Sequence, residues 1–110
     1  WSMHDEAATH YVNMVSQTQL GHTFIKEQFD YLPKVGWQID PFGHSATQAA
    51  LLSAEAGFDA LYFGRIDYQD HDLRMKERRM EFVWRASESL GVDAQVFTGA
   101  FQSGNYGPPS

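Results

Sequence analysis

The chain contains no cysteine, so neither a disulfide framework nor a thiolate metal site is open to it, and the redox compartment stays undetermined. No apolar run approaches the roughly 18 residues that a membrane helix needs, and the first residues lack the basic-then-apolar pattern of a secretory leader. Gly-x-Gly-x-x-Gly, a Walker loop, a Gly-x-Ser-x-Gly elbow and His-Glu-x-x-His are all missing, which removes the usual signatures of nucleotide binding, serine hydrolysis and metalloproteolysis. Positive charge is also scarce: 8 Lys and Arg stand against 14 Asp and Glu, a net charge of -6. That balance argues against a general nucleic-acid binder and suits neutral substrates such as sugars. There is no internal repeat, low-complexity tract or linker. What remains is globular in character, 43% hydrophobic over 110 residues, the size of one domain or part of one.

The informative stretch is Trp37-Gln38-Ile39-Asp40-Pro41-Phe42-Gly43-His44-Ser45. Lys34 to Ile39 predicts a short buried strand, and Pro41 cannot donate to a ladder, so the chain must leave the sheet at Asp40. Ser45 and Gln48 have capping-box spacing; Ala46 to Ala56 then predicts a helix that Gly57 ends. A second apolar run, Phe58 to Phe63, follows. Strand, turn, helix and strand in so little chain form a βαβ unit with parallel strands, which puts Asp40 at a strand's carboxyl end, where α/β proteins place their chemistry.

Upstream, Ala8 to Phe29 predicts one amphipathic helix with a stripe of Tyr11, Val12, Val15, Phe24, Ile25 and Phe29, with Asp5 or Thr9 as cap and Asp5 and Glu6 at its positive end. Gly21 weakens it by about 1 kcal/mol relative to Ala. Downstream, a helix is expected from near Asp72 to Leu90, ended by Gly91 and burying Leu73, Met80, Val83, Trp84 and Leu90. Gln95 to Thr98 is a third strand, and Gly99 to Ser110 a loop. The fold class is therefore α/β: consecutive units with parallel strands, of a barrel or an open sheet. Three strands cannot close a barrel, so a slice of a larger domain is expected.

Asp40 is the residue with most chemistry. A carboxylate there is a hard oxygen donor for a metal and can form a glycosyl ester; as a turn aspartate before proline it has a structural use too. Arg65, after the next strand, offers fixed donors to a carboxylate or to hydroxyls, or a loop salt bridge to Asp67. Phe42 suits a sugar face, or the core. His44 either fixes the turn or orients Asp40. His4 and His10 are not a one-face helical pair, and Asp70-His71-Asp72 is better explained as a solvated helix start. Arg74, Lys76, Arg78 and Arg79 alternate with acids, as on a solvated face.

The Trp37–Ser45 segment resembles the nucleophile motif of the glycoside hydrolase family 38 α-mannosidases. Met3-His4-Asp5-Glu6-Ala7-Ala8-Thr9-His10-Tyr11 resembles the segment before it, and Phe63-Gly64-Arg65-Ile66-Asp67-Tyr68-Gln69-Asp70, Val83-Trp84-Arg85-Ala86-Ser87, Phe97-Thr98-Gly99 and Tyr106-Gly107-Pro108-Pro109 continue it in order. The likeness is greatest to the lysosomal or plant vacuolar acid enzymes. It implies that residues 1–110 are part of the N-terminal catalytic domain of a zinc-dependent, retaining α-mannosidase, incomplete at both ends, with a barrel-like α/β fold. It implies Asp40 as nucleophile and zinc ligand, and Phe42, Arg65 and Tyr106 as substrate contacts. The remaining zinc ligands and the acid/base carboxylate are expected outside the chain, so the chain alone is expected to be inactive. Mannose-bearing oligosaccharides or glycoproteins are the implied substrates, the rest of the catalytic domain the implied partner, and a vacuole, lysosome or the exterior the implied address. The rival classes are an inactive truncated product or interaction fragment, and a different sugar-processing α/β enzyme.

Overall fold

The computed structural model describes residues 1–103. The first helix, α1 (Tyr11–Phe29), is capped by His10, whose Nδ1 accepts from the Val12 amide at 3.2 Å. Asp5 instead closes a turn of its own, accepting from the amides of Ala7 and Ala8 at 2.8 and 3.1 Å. The helix buries a different stripe from the expected one. Met14 and Gly21 are buried, while Tyr11, Val12, Val15, Phe24 and Phe29 are all more than two-fifths exposed. Gly21 is where the amino-terminal segment crosses the helix: a Cβ there would collide with the backbone of Trp1. The glycine that costs helix propensity thus permits a close approach.

Strand β1 (Val35–Gln38) leads through the Asp40 turn to α2 (Ala46–Ala50), whose cap is Ser45, its hydroxyl accepting from the Gln48 amide at 3.2 Å. The helix continues as a π-helical stretch, Leu51–Glu55, and ends before Gly57, at φ +71°. Strand β2 (Ala60–Phe63) then pairs parallel to β1, Val35 opposite Ala60 and Gln38 opposite Phe63. The order of the βαβ unit is as expected, but β1 is buried on one face only, with Val35 and Trp37 half-exposed on the other.

The next segment is not. No helix spans 72–90; α3 runs over Tyr68–Glu77 and a strand, β3 (Glu81–Arg85), follows. Arg78 takes a left-handed conformation, φ 56°, and the Arg79 amide returns to the Arg74 carbonyl at 2.8 Å, which closes the helix as a glycine would. The Arg74 guanidinium then reaches the Arg79 carbonyl at 3.2 Å and lies 4.2 Å from the centroid of the Phe82 ring. Past this stop, Phe82-Val83-Trp84 are β-favouring residues. Of the five residues expected on a buried helix face only Met80 is buried; Leu73 and Leu90 are half-exposed and Val83 is 64% exposed. A short 3-10 turn (Gly91–Ala94) precedes β4 (Gln95–Ala100).

The sheet has four strands, ordered β1-β2-β4-β3, with β3 antiparallel on the edge and the other pairs parallel. One face packs Leu61 and Val96 on Ala49 and Leu52, and Phe63 and Ala100 on Met80. The opposite face carries an apolar row across all four strands, Val35, Ala60, Phe97 and Val83, with Trp37 beside it. Val35, Trp37, Phe97 and Val83 are each more than two-fifths exposed. No helix among the described residues is long and apolar enough to cross a membrane.

Candidate functional site

The site forms where β1 and β2 end. The register that sets Gln38 opposite Phe63, extended by two residues, sets Asp40 beside Arg65. The Arg65 Nε donates to Asp40 Oδ1 in an ion pair, so the arginine pairs across the strands rather than with Asp67. Asp67 instead caps α3, accepting from the amides of Gln69 and Asp70 at 3.0 and 3.1 Å. The Arg65 guanidinium also lies 4.8 Å from the centroid of the Phe42 ring, within cation–π range. Phe42 is 79% exposed, which makes it an apolar surface at the mouth rather than a core residue. Asp40, Phe42 and Arg65 therefore converge. Tyr106 lies outside the described residues.

His44 donates from Nε2 to the Arg65 carbonyl at 2.8 Å and packs its ring on Phe63, centroids 4.4 Å apart. A carbonyl can only accept, so the proton sits on Nε2. The histidine holds the arginine's backbone and does not orient Asp40 directly.

Beneath the loop is a group that the sequence reading placed at a helix start. The Glu6 side chain is only 6% exposed. Its Oε1 accepts from the Ser45 amide at 3.0 Å, its Oε2 accepts from Gln38 Nε2 at 3.2 Å, and His44 Nδ1 stands 3.9 Å from Oε2. Gln38 is itself buried and behaves like a piece of backbone, accepting from the His4 amide and donating to the His4 carbonyl, both at 3.0 Å. The signal available in the sequence was Gln38, a polar side chain inside an otherwise apolar strand.

His4 is fixed on α1. Gln17 Nε2 donates to its Nδ1 at 2.7 Å, and its Nε2 donates to the Thr18 hydroxyl at 3.1 Å, that hydroxyl being committed to the Met14 carbonyl. Burial first, and then the positive amino terminus, push the His4 pKa below its ordinary 6.5. The same two causes lower that of His22.

Among the described residues there is no group of three His, Asp or Glu side chains that could hold a metal ion. Asp40 suits such an ion as one hard oxygen donor, but a four-coordinate set is not completed by these residues. A cavity of about 710 Å³ lies between α1 and the sheet, with Glu6, Gln38, His44 and Phe63 in its wall. It sits behind the loop, not at the mouth that Asp40, Phe42 and Arg65 share.

Comparison with known proteins agrees over the whole length. Residues 1–110 match the glycosyl hydrolases family 38 N-terminal domain. A probable alpha-mannosidase of Arabidopsis thaliana is 61% identical over 107 residues, 97% of this chain and 10% of that protein. The alpha-mannosidase of Canavalia ensiformis is 57% identical over 110 residues, 100% of this chain and 11% of the relative. The lysosomal alpha-mannosidase of Homo sapiens is 53% identical over 112 aligned positions, covering 99% of the chain and 11% of the relative. The chain thus spans about a tenth of the length of the curated relatives it matches. On the match of its full length to the model of the family's N-terminal domain, this chain belongs to glycosyl hydrolase family 38.

Proposed function

We propose that the protein to which this chain belongs is a retaining α-mannosidase acting on terminal α-linked mannose of N-glycans, with Asp40 as its nucleophile. The observation that carries this reading is the convergence of Asp40, Arg65 and Phe42 at the carboxyl ends of two adjacent parallel strands. A carboxylate, a guanidinium and an exposed aromatic ring are a charge, a set of donors and an apolar face, which together suit a hydroxylated ring. In the first step a carboxylate oxygen of Asp40 bonds to the anomeric carbon while the glycosidic carbon–oxygen bond breaks, and the leaving oxygen takes a proton from a carboxylic acid. In the second, water activated by that same group attacks the anomeric carbon and the ester to Asp40 is released. Arg65 fixes the direction of the Asp40 carboxylate, and Phe42 offers the ring a surface. Tyr106 is assigned a contact with the same sugar on the resemblance alone. A zinc ion with Asp40 among its ligands would supply Lewis-acid polarisation and a template for mannose hydroxyls.

The acid/base carboxylate and the other metal ligands are assigned to polypeptide beyond these residues, since relatives are about ten times longer. The apolar row Val35, Ala60, Phe97, Val83 supports the same view: parallel sheets are covered on both faces, and this face suits the inside of a larger barrel. By itself the chain should be catalytically inert. Relatives bear the name lysosomal alpha-mannosidase, which favours a lysosomal or vacuolar address. The test is Asp40→Asn in the full-length protein, assayed with a nitrophenyl α-mannoside. Loss on the order of 10³-fold or more is expected for a missing nucleophile; a rate near that of the parent removes Asp40 from the mechanism.

A further inference from the structure

We infer that Glu6 is a positioning residue whose buried carboxylate clasps both ends of the loop that presents Asp40 and Phe42. The inference rests on the reading of Asp40 as nucleophile and goes beyond it, because Glu6 touches neither Asp40 nor the mouth of the site.

The geometry is specific. The two donors to Glu6 are Gln38, the last residue of β1, and the amide of Ser45, the cap of α2. Everything between them, 39–44, is the loop in question. A carboxylate this deeply covered is costly unless its oxygens are bonded, and here each oxygen accepts one donor from a different end of the loop. The span across the loop is therefore set by the width of a single carboxylate. His44, the last residue of the loop, lies beside this clasp: its Nδ1 is 3.9 Å from Glu6 Oε2, beyond hydrogen-bond distance, and its Nε2 donates to the Arg65 carbonyl.

Glu6 is itself held from outside the loop. The preceding residue, Asp5, closes the turn over Ala7 and Ala8, and the His4 backbone is locked to the Gln38 amide group. The Ile39 amide donates to Met3 Sδ at 3.2 Å. The amino-terminal segment is accordingly fastened to the end of β1 before it reaches the loop. Replacing the carboxylate by an amide keeps the shape but puts an NH2 group against one of the two donors. One end of the loop must then let go.

A nucleophile displaced by about 1 Å loses on the order of 10²-fold in rate. The experiment uses the full-length enzyme and the Glu6→Gln variant. Active sites are counted by mass after reaction with an activated fluorosugar of mannose that leaves a long-lived glycosyl ester. Rates per counted site are then measured on a nitrophenyl and a methyl α-mannoside. The expected result is a kcat per site lower by roughly 10- to 100-fold, equally for both substrates, with KM within about threefold. A kcat per site within twofold of the parent overturns the inference. So does a loss confined to the methyl mannoside, which would make Glu6 a proton donor, and so does a variant that yields no countable sites, which would assign Glu6 to the scaffold alone. Asp40→Asn serves as the parallel control. If that variant is active and the label falls elsewhere, the nucleophile reading fails and this inference with it; if it is dead while Glu6→Gln is unimpaired, only the positioning role is lost.

Discussion

The β1–α2–β2 unit and the α3–β3 excursion are neighbours in the chain, yet they were not equally legible. In the first, each boundary has a local chemical mark. Pro41 takes the chain out of the sheet, Ser45 caps the helix, and Gly57 at positive φ ends it. In the second, the helix stops at Arg78, a residue with no propensity to stop one, and what holds it there is the Arg74 side chain, which reaches past the stop to the Arg79 carbonyl and the Phe82 ring. Periodicity also misled. Leu73, Met80, Val83, Trp84 and Leu90 fall close to a helical stripe, but Phe82 and Trp84 face the core as alternate residues of a strand while Val83 points the other way. A proline, a serine cap or a glycine can be read from its type alone; a stop held by an arginine that folds onto the next strand cannot.

Three substitutions and a titration sharpen this contrast. The largest effect is expected at the join between the two regions. Met80, 2% exposed, packs on Phe63 of the first unit and Ala100 of β4, and Met80→Ala should cost about 3 kcal/mol in denaturant unfolding of the chain. A cost under about 1 kcal/mol would mean that the excursion is not packed on the unit. Next is Ser45→Ala, which deletes the hydroxyl bonded to the Gln48 amide and should cost about 1 kcal/mol. No change there would deprive the first region of its clearest mark. Smaller and opposite in sign is Arg78→Gly, which supplies the residue that a left-handed helix end favours and should raise stability by about 0.5 kcal/mol. A loss would show that the Arg78 side chain has a role the backbone does not explain.

The titration concerns His4 and His22. Their pKa values are depressed in the folded chain, so below the unfolded value of 6.5 the unfolded state binds more protons. Stability should therefore be flat above pH 6.5 on their account and fall as pH drops from 6.5 through the folded values. Thermal unfolding followed by circular dichroism should show that fall, and His4→Gln should make it shallower. An unchanged slope in the variant would take His4 out of the effect.

The candidate site was legible to the same degree as the first region, and for the same reason. Asp40 and Arg65 stand two residues past the ends of neighbouring strands, so strand ends alone bring them together. Glu6 was harder to see. Two acids in a row before a helix suit its positive end, and the sequence cannot tell that α1 starts later, at Tyr11, behind a His10 cap. Its partners are 32 and 39 positions away, beyond the reach of any local pattern.

Gly21 gives the amino-terminal segment its seat. With no side chain at that point, Trp1 rests directly on the helix backbone, and the residues that follow are delivered at the height where His4 meets Gln38 and Glu6 meets Ser45. Even a methyl group there would act as a shim, lifting the segment and carrying the loop of Asp40 with it. A change in the middle of a helix, touching nothing at the mouth, would then be felt as a loss of aim.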